Sequence, residues 1–140
     1  EILYSLGPLP PVMIAVMAKI LLIDDEEELL DLFHEVLQNV GHSVCKTKCW
    51  DDAGHLFDDG IKVDLIVGDV YTLGHDAFTF IRNRIHAQHD MPPAILITGS
   101  CSDDDLQHAS TLAYAVLSKP FSNRVLVEEV SRCLAHRKMS

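Results

Sequence analysis

The stretch Lys19-Ile20-Leu21-Leu22-Ile23-Asp24-Asp25-Glu26 decides the fold: four consecutive apolar residues run straight into three acids. A continuous apolar run bounded by polar residues suits a strand buried on both faces, and so a parallel sheet covered by helices. Leu65-Ile66-Val67 ahead of Gly68-Asp69, and Ala94-Ile95-Leu96-Ile97 ahead of Thr98-Gly99-Ser100, repeat the pattern. Ser43 to Thr47 mixes Val44 and Cys45 with Lys46, as an edge strand does. Ala113 to Ser118 is the fifth strand candidate.

Helical periodicity fills the gaps between these runs. From Glu26 to Val40, Leu29, Phe33, Val36, Leu37 and Val40 form one apolar face, and Gly41 stops the helix. Trp50 to Asp59 is a shorter helix ended by Gly60, and Asp76 to His86 puts Ala77, Phe78, Ile81 and Ile85 on one side. Ser102 caps a fourth helix whose first turn holds Asp103, Asp104 and Asp105, and whose apolar stripe is thin: Leu106, Ala109, Ala113. Ser122 caps the fifth, with Leu126, Val130, Cys133 and Leu134 inward. Five βα units with right-handed crossovers predict a doubly wound α/β domain, a five-stranded parallel sheet in the order 2-1-3-4-5 within a flavodoxin-like three-layer sandwich.

The chain has 140 residues, one domain's worth. Residues 18–138 read as that domain and residues 1–17 as an extension, with Met17-Ala18-Lys19 as the native start. The apolar extension is expected to pack on its own domain or on a neighbouring chain. Its apolar run is broken by Lys19, falls short of the ~18 residues of a membrane span, and lacks the basic start of a secretory signal. Apolar residues make up 48%, enough for one core, and 21 acids against 11 bases leave a net charge of −10. That charge repels nucleic-acid backbones and acidic membranes alike, so neither is an expected partner. Cys45, Cys49, Cys101 and Cys133 have neither disulfide-scaffold nor zinc-ligand spacing and read as reduced thiols of a cytoplasmic protein.

In a doubly wound sheet the site lies outside the carboxyl ends of the strands. Those ends carry Asp24-Asp25-Glu26, Asp69, Thr98 and Lys119. Three converging carboxylates raise each other's pKa unless a cation intervenes, and a hard divalent ion such as Mg²⁺ leaves a position for a phosphate oxygen. Lys119 adds a further positive charge for the same phosphate. Singly, each residue has an ordinary reading: Asp25 as the cap of the first helix with Glu28 as its partner, Asp69 as a turn acid, Lys119 as a surface ammonium. Their coincidence on one rim is what carries the argument.

Ile20-Leu-Leu-Ile-Asp-Asp-Glu26, Asp64-Leu-Ile-Val-Gly-Asp69, Ile97-Thr98-Gly99 and Lys119-Pro120-Phe121 together resemble the receiver domain of two-component response regulators, over about Lys19 to Arg137. The resemblance implies Asp69 as phosphoacceptor and Mg²⁺ held by Asp24, Asp25, Asp69 and the backbone carbonyl of Tyr71. Thr98 and Lys119 would contact the phosphoryl group, and Lys119-Pro120 would be cis. It implies a sensor histidine kinase or a histidine phosphotransfer protein as phosphodonor. The domain's own chemistry would be limited to self-catalysed phosphotransfer and autodephosphorylation. It also implies homodimerisation through the face of the fourth helix, fifth strand and fifth helix.

The chain departs from the family pattern at four points. Leu73 stands where a proline is usual, Ala77 where a glycine is usual, Gly68 precedes the phosphoacceptor, and Val116 replaces the usual aromatic switch. Tyr114, two residues before Val116, is a candidate substitute on the same face; otherwise the fourth helix itself is expected to move. Two other functions compete: a degenerate receiver that only docks, and a Mg²⁺-dependent phosphatase with Asp69 as nucleophile. The second lacks a cap segment and has Tyr71 where a second acid belongs.

Overall fold

Ile20, Leu21, Leu22 and Ile23 alternate between two separate cores in the computed structural model, which describes residues 17–87, 89–99 and 102–139. Strand β1 (Lys19–Ile23) sends Ile20 and Leu22 to one face and Leu21 and Ile23 to the other, all four at most 1% exposed. A strand of this kind must be covered twice, and it is. It pairs in parallel with β2 (Ser43–Thr47) and β3 (Leu65–Asp69); β3 pairs with β4 (Ala94–Thr98), and β4 with β5 (Ala115–Ser118). The order β2-β1-β3-β4-β5 is the one expected from the sequence.

Among the described residues five helices cover the sheet: α1 (Glu27–Asn39), α2 (Trp50–Asp58), α3 (Ala77–His86), α4 (Asp103–Leu112) and α5 (Asn123–Met139). Phe33, Val36 and Leu37 of α1 join Leu126, Val130 and Cys133 of α5 over Ile20, Leu22, Leu65 and Ile95. On the opposite face Trp50 and Ala53 of α2, Phe78 and Ile81 of α3, and Ala109 of α4 pack on Leu21, Ile23, Ile66 and Leu96. The result is three layers.

Some details differ from the sequence reading. In the first turns of α1 the buried leucine is Leu30 rather than Leu29, and it shares one face with Phe33, Val36 and Leu37. Ile85 is 54% exposed, since α3 ends one residue later, beyond the sheet's reach. The loop after β3 also holds an unforeseen antiparallel ribbon, Tyr71–Thr72 against His75–Asp76. Leu73 and Gly74 make its turn with φ of 45° and 82°. Two successive positive φ values make the tight two-residue hairpin turn, and no proline, with φ near −65°, fits position 73. The expected caps are in place: Ser102 Oγ accepts the Asp105 N–H and Ser122 Oγ accepts the Val125 N–H. Cys45 and Cys49 are free thiols. No helix among the described residues is long and apolar enough to cross a membrane. The expectation that the extension packs on the domain concerns residues 1–16, outside the described ones.

Candidate functional site

The parallel register brings the ends of β1, β3, β4 and β5 to one rim, and the charged side chains meet there. Asp69 ends β3; its Oδ2 accepts a hydrogen bond from Lys119 Nζ at 2.9 Å, and its Oδ1 accepts the Tyr71 N–H at 3.3 Å. Lys119 follows β5, its own N–H bonded to the Thr98 carbonyl at 2.8 Å. Its ammonium also lies 3.5 Å from Glu26 Oε1 and 3.9 Å from Asp24 Oδ2. The Lys119-Pro120 peptide is cis, as expected.

Asp24, 2% exposed, is a deeply buried acid of the group. Its Oδ1 accepts the Glu26 N–H at 2.8 Å, but its buried Oδ2 accepts no hydrogen bond. Burial pushes its pKa from 3.8 to about 6; the Glu26 N–H and Lys119 pull it down, and Asp69 and Glu26 push it further up. Burial also opposes the charge on Lys119, yet its hydrogen bond to Asp69 and the fields of Asp69, Asp24 and Glu26 hold its pKa above 10.5. Lys119 is therefore a firmly charged ammonium shared by three acids.

Asp25 does not cap α1. The N-cap position is Glu26, which makes no side-chain cap bond, while Asp25 Oδ2 accepts the Leu73 N–H at 3.1 Å and ties the ribbon turn to the end of β1. Thr98, 3% exposed, ends β4 one residue beyond the Asp69–Ile97 pair. The Tyr71 ring is half-exposed and touches Phe78 edge-on, with centroids 6.3 Å apart. Among the described residues no three His, Cys, Asp or Glu side chains stand ready-gathered around a metal position. The donor chemistry nevertheless suits a hard divalent cation: oxygen ligands only, one of them a buried carboxylate oxygen with no hydrogen bond.

Two residues at the site, Thr72 and Trp50, escaped the sequence reading, as did the lysine partner of Glu26. Glu26 reaches back to Lys119 although it opens a helix. Thr72, 1% exposed, accepts the Trp50 N–H at 3.2 Å. Trp50, the first residue of α2, donates its indole N–H to the Asp69 carbonyl at 2.7 Å. The unusual Gly68 makes that possible, for a Cβ there would lie 2.6 Å from Trp50 Cζ2. A glycine beside a critical acid was the one visible signal. Tyr114, for its part, is 39% exposed and faces His136 of α5 at 5.9 Å, while Val116 packs against the opposite layer.

Comparison with known proteins agrees with this geometry. Residues 20–131 match the model of the response regulator receiver domain family. The chain is 28% identical over 125 residues to the response regulator SaeR of Staphylococcus epidermidis, covering 89% of this chain and 53% of that protein. It thus spans about half the length of the curated relatives it matches. A chemotaxis response regulator of Vibrio cholerae superposes with a TM-score of 0.73 at 26% identity, over 84% of this chain and 99% of that one. The receiver domain of a histidine kinase from Syntrophus aciditrophicus shares the fold, with a TM-score of 0.77 at 22% identity, over 88% and 94% of the two chains. With its 2-1-3-4-5 sheet and its acid-lysine rim, the chain belongs to the receiver domain family of response regulators.

Proposed function

We propose that Asp69 is the phosphoacceptor of this receiver domain and that the domain proper is residues 18–138. The observation that carries the reading is the Lys119 ammonium 2.9 Å from Asp69 Oδ2, at the carboxyl edge of a parallel sheet. An Asp69 oxygen attacks the phosphorus of a phosphohistidine; the P–N bond breaks and the imidazole leaves with a proton. The phosphodonor is a sensor histidine kinase or a histidine phosphotransfer protein. Lys119 neutralises charge on the phosphoryl oxygens, and Thr98 binds one of them, so catalysis is positioning and charge compensation. The Asp24, Asp25 and Asp69 carboxylates and the Tyr71 carbonyl would hold Mg²⁺. Bound there, the ion supplies the divalent charge that orients and neutralises the incoming group. Water later hydrolyses the acyl phosphate and resets the switch; the domain turns over no separate substrate. A cytoplasmic location accords with free thiols at Cys45 and Cys49.

Acetyl phosphate with Mg²⁺ should add one acid-stable, base-labile phosphate that maps to Asp69 and is absent in Asp69→Asn. Labelling of that variant at the unaltered rate overturns the assignment. No labelling of the unaltered chain at all would leave the docking module as the correct reading.

The output surface is the fourth helix, with the neighbouring β5 and α5 completing the face for a homodimer. Two observations favour movement of α4 over a ring flip on β5. Only Ala109 of α4 is fully buried, so its anchorage is weak. A chain of ring contacts also runs to it from the site: Tyr71 on Phe78, then Phe78 stacked on His108 at 4.5 Å. Beryllofluoride should therefore change amide exchange across Asp103–Leu112. Changes confined to residues touching Asp69 would exclude this route.

A further inference from the structure

We infer that Trp50 is a positioning residue for the metal and phosphoryl site, gripping the chain on both sides of Tyr71; this rests on the assignment of Asp69 and the Tyr71 carbonyl made above. The indole N–H binds the Asp69 carbonyl at 2.7 Å, two residues before Tyr71, and the Trp50 backbone N–H binds Thr72 Oγ1 at 3.2 Å, one residue after it. Both partners belong to the segment that leaves β3 and enters the ribbon.

The grip is rigid because it is buried. Trp50 and Thr72 are each 1% exposed, and the indole lies against Gly68 and packs with Phe80 at 5.1 Å between centroids. Buried polar groups gain most from a fixed partner, because no water can replace it. The Asp69–Val70 peptide plane is held by the indole on one side and by the Val70 N–H to the Ile97 carbonyl at 2.9 Å on the other. That plane sets where the Asp69 carboxylate and the following carbonyls point. Gly68 is part of the same device: any Cβ at that position displaces the ring from the Asp69 carbonyl.

Two substitutions attack the grip from opposite sides. Trp50→Phe retains much of the ring volume and deletes the N–H; Gly68→Ala retains the N–H and pushes the ring away. Each is expected to weaken Mg²⁺ binding by about tenfold, the scale seen when a group supporting a metal ligand is lost. The readout is a titration with Mg²⁺ alone, followed by the backbone amide resonances of residues 69–73 in protein whose spectrum is that of a folded chain. At saturating Mg²⁺ the acetyl phosphate labelling rate should return to within about threefold of the unaltered protein, a split between affinity and rate that a merely structural role does not produce. Coupling is reciprocal, so in the unaltered chain Mg²⁺ should slow exchange of the indole N–H of its single tryptophan by a similar factor. This last measurement needs no variant. Unchanged Mg²⁺ affinity in folded Trp50→Phe, or unchanged indole exchange on Mg²⁺ saturation, overturns the inference and leaves the Asp69 assignment standing. Full labelling of Asp69→Asn overturns that assignment instead.

Discussion

Asp24→Asn raises the stability of the metal-free chain by about 2 kcal/mol near pH 7, although it removes an acid from the functional rim. Burial holds the folded-state pKa of Asp24 at about 6 against an ordinary 3.8. A tenfold change in proton affinity corresponds to about 1.4 kcal/mol, so keeping this carboxylate ionised costs the folded state up to about 3 kcal/mol. Asn keeps the acceptor for the Glu26 N–H and removes the charge, but it loses the attraction of Lys119, which trims the gain. Because the folded pKa is the higher one, the native chain is favoured below 3.8 and loses that advantage as pH rises through about 6. The benefit of Asp24→Asn is accordingly near zero around pH 4 and complete above about pH 6. His42 works in the other direction. Burial lowers its pKa from 6.5, and its Nδ1 accepts the Ala18 N–H, so its contribution is present above 6.5 and lost on acidification. Urea midpoints of the two proteins across this range isolate Asp24, since His42 is common to both. An equal or lower midpoint for Asp24→Asn near pH 7 would mean that the carboxylate carries no such penalty.

Lys119→Met should slow labelling of Asp69 by about a hundredfold at saturating Mg²⁺, the loss typical of one preorganised donor to a developing anionic charge. Two effects compete at this position. Removing the ammonium frees Asp69 Oδ2 from its 2.9 Å bond, which favours attack by the carboxylate. It also takes a fixed positive charge from a site only 22% open to solvent, where the transferred group brings more negative charge. The second effect dominates, because the ammonium is already in place and needs no reorganisation during transfer. The fold should survive, since Glu26 is 62% exposed and readily finds water in place of Lys119. Lys119→Arg keeps the charge but replaces a compact ammonium with a planar fork, and should recover only part of the rate. Initial rates with acetyl phosphate decide the matter. A rate for Lys119→Met within about threefold of the unaltered protein removes Lys119 from the chemistry.

The architecture was legible because it rests on local periodicity. Runs such as Ile20–Ile23 and Ala94–Ile97 are apolar on both faces, and only a covered parallel strand uses such a run fully. Ser102 and Ser122 announce helix starts because a hydroxyl can satisfy the first free N–H groups wherever the helix lies. The rim acids and Lys119 followed from the topology: once the strand order is known, the strand ends must converge. Ile85 failed because periodicity tells which face a residue is on, not how far the sheet extends beneath it.

Sequence by itself determined the layered sheet, its order and the gathering of Asp24, Asp25, Asp69, Thr98 and Lys119 at one edge, for these depend on patterns a few residues long. Tertiary structure alone decided which partner each polar atom takes. Asp25 turns to the Leu73 N–H rather than to α1, Asp24 Oδ2 is left without a hydrogen bond, and Trp50 reaches across to the Asp69 carbonyl through the space that Gly68 leaves open. These choices join residues from 19 to 48 positions apart in the chain. They follow from the shape and burial of the assembled domain, where a missing Cβ or an excluded water decides an energy that no neighbouring residue encodes.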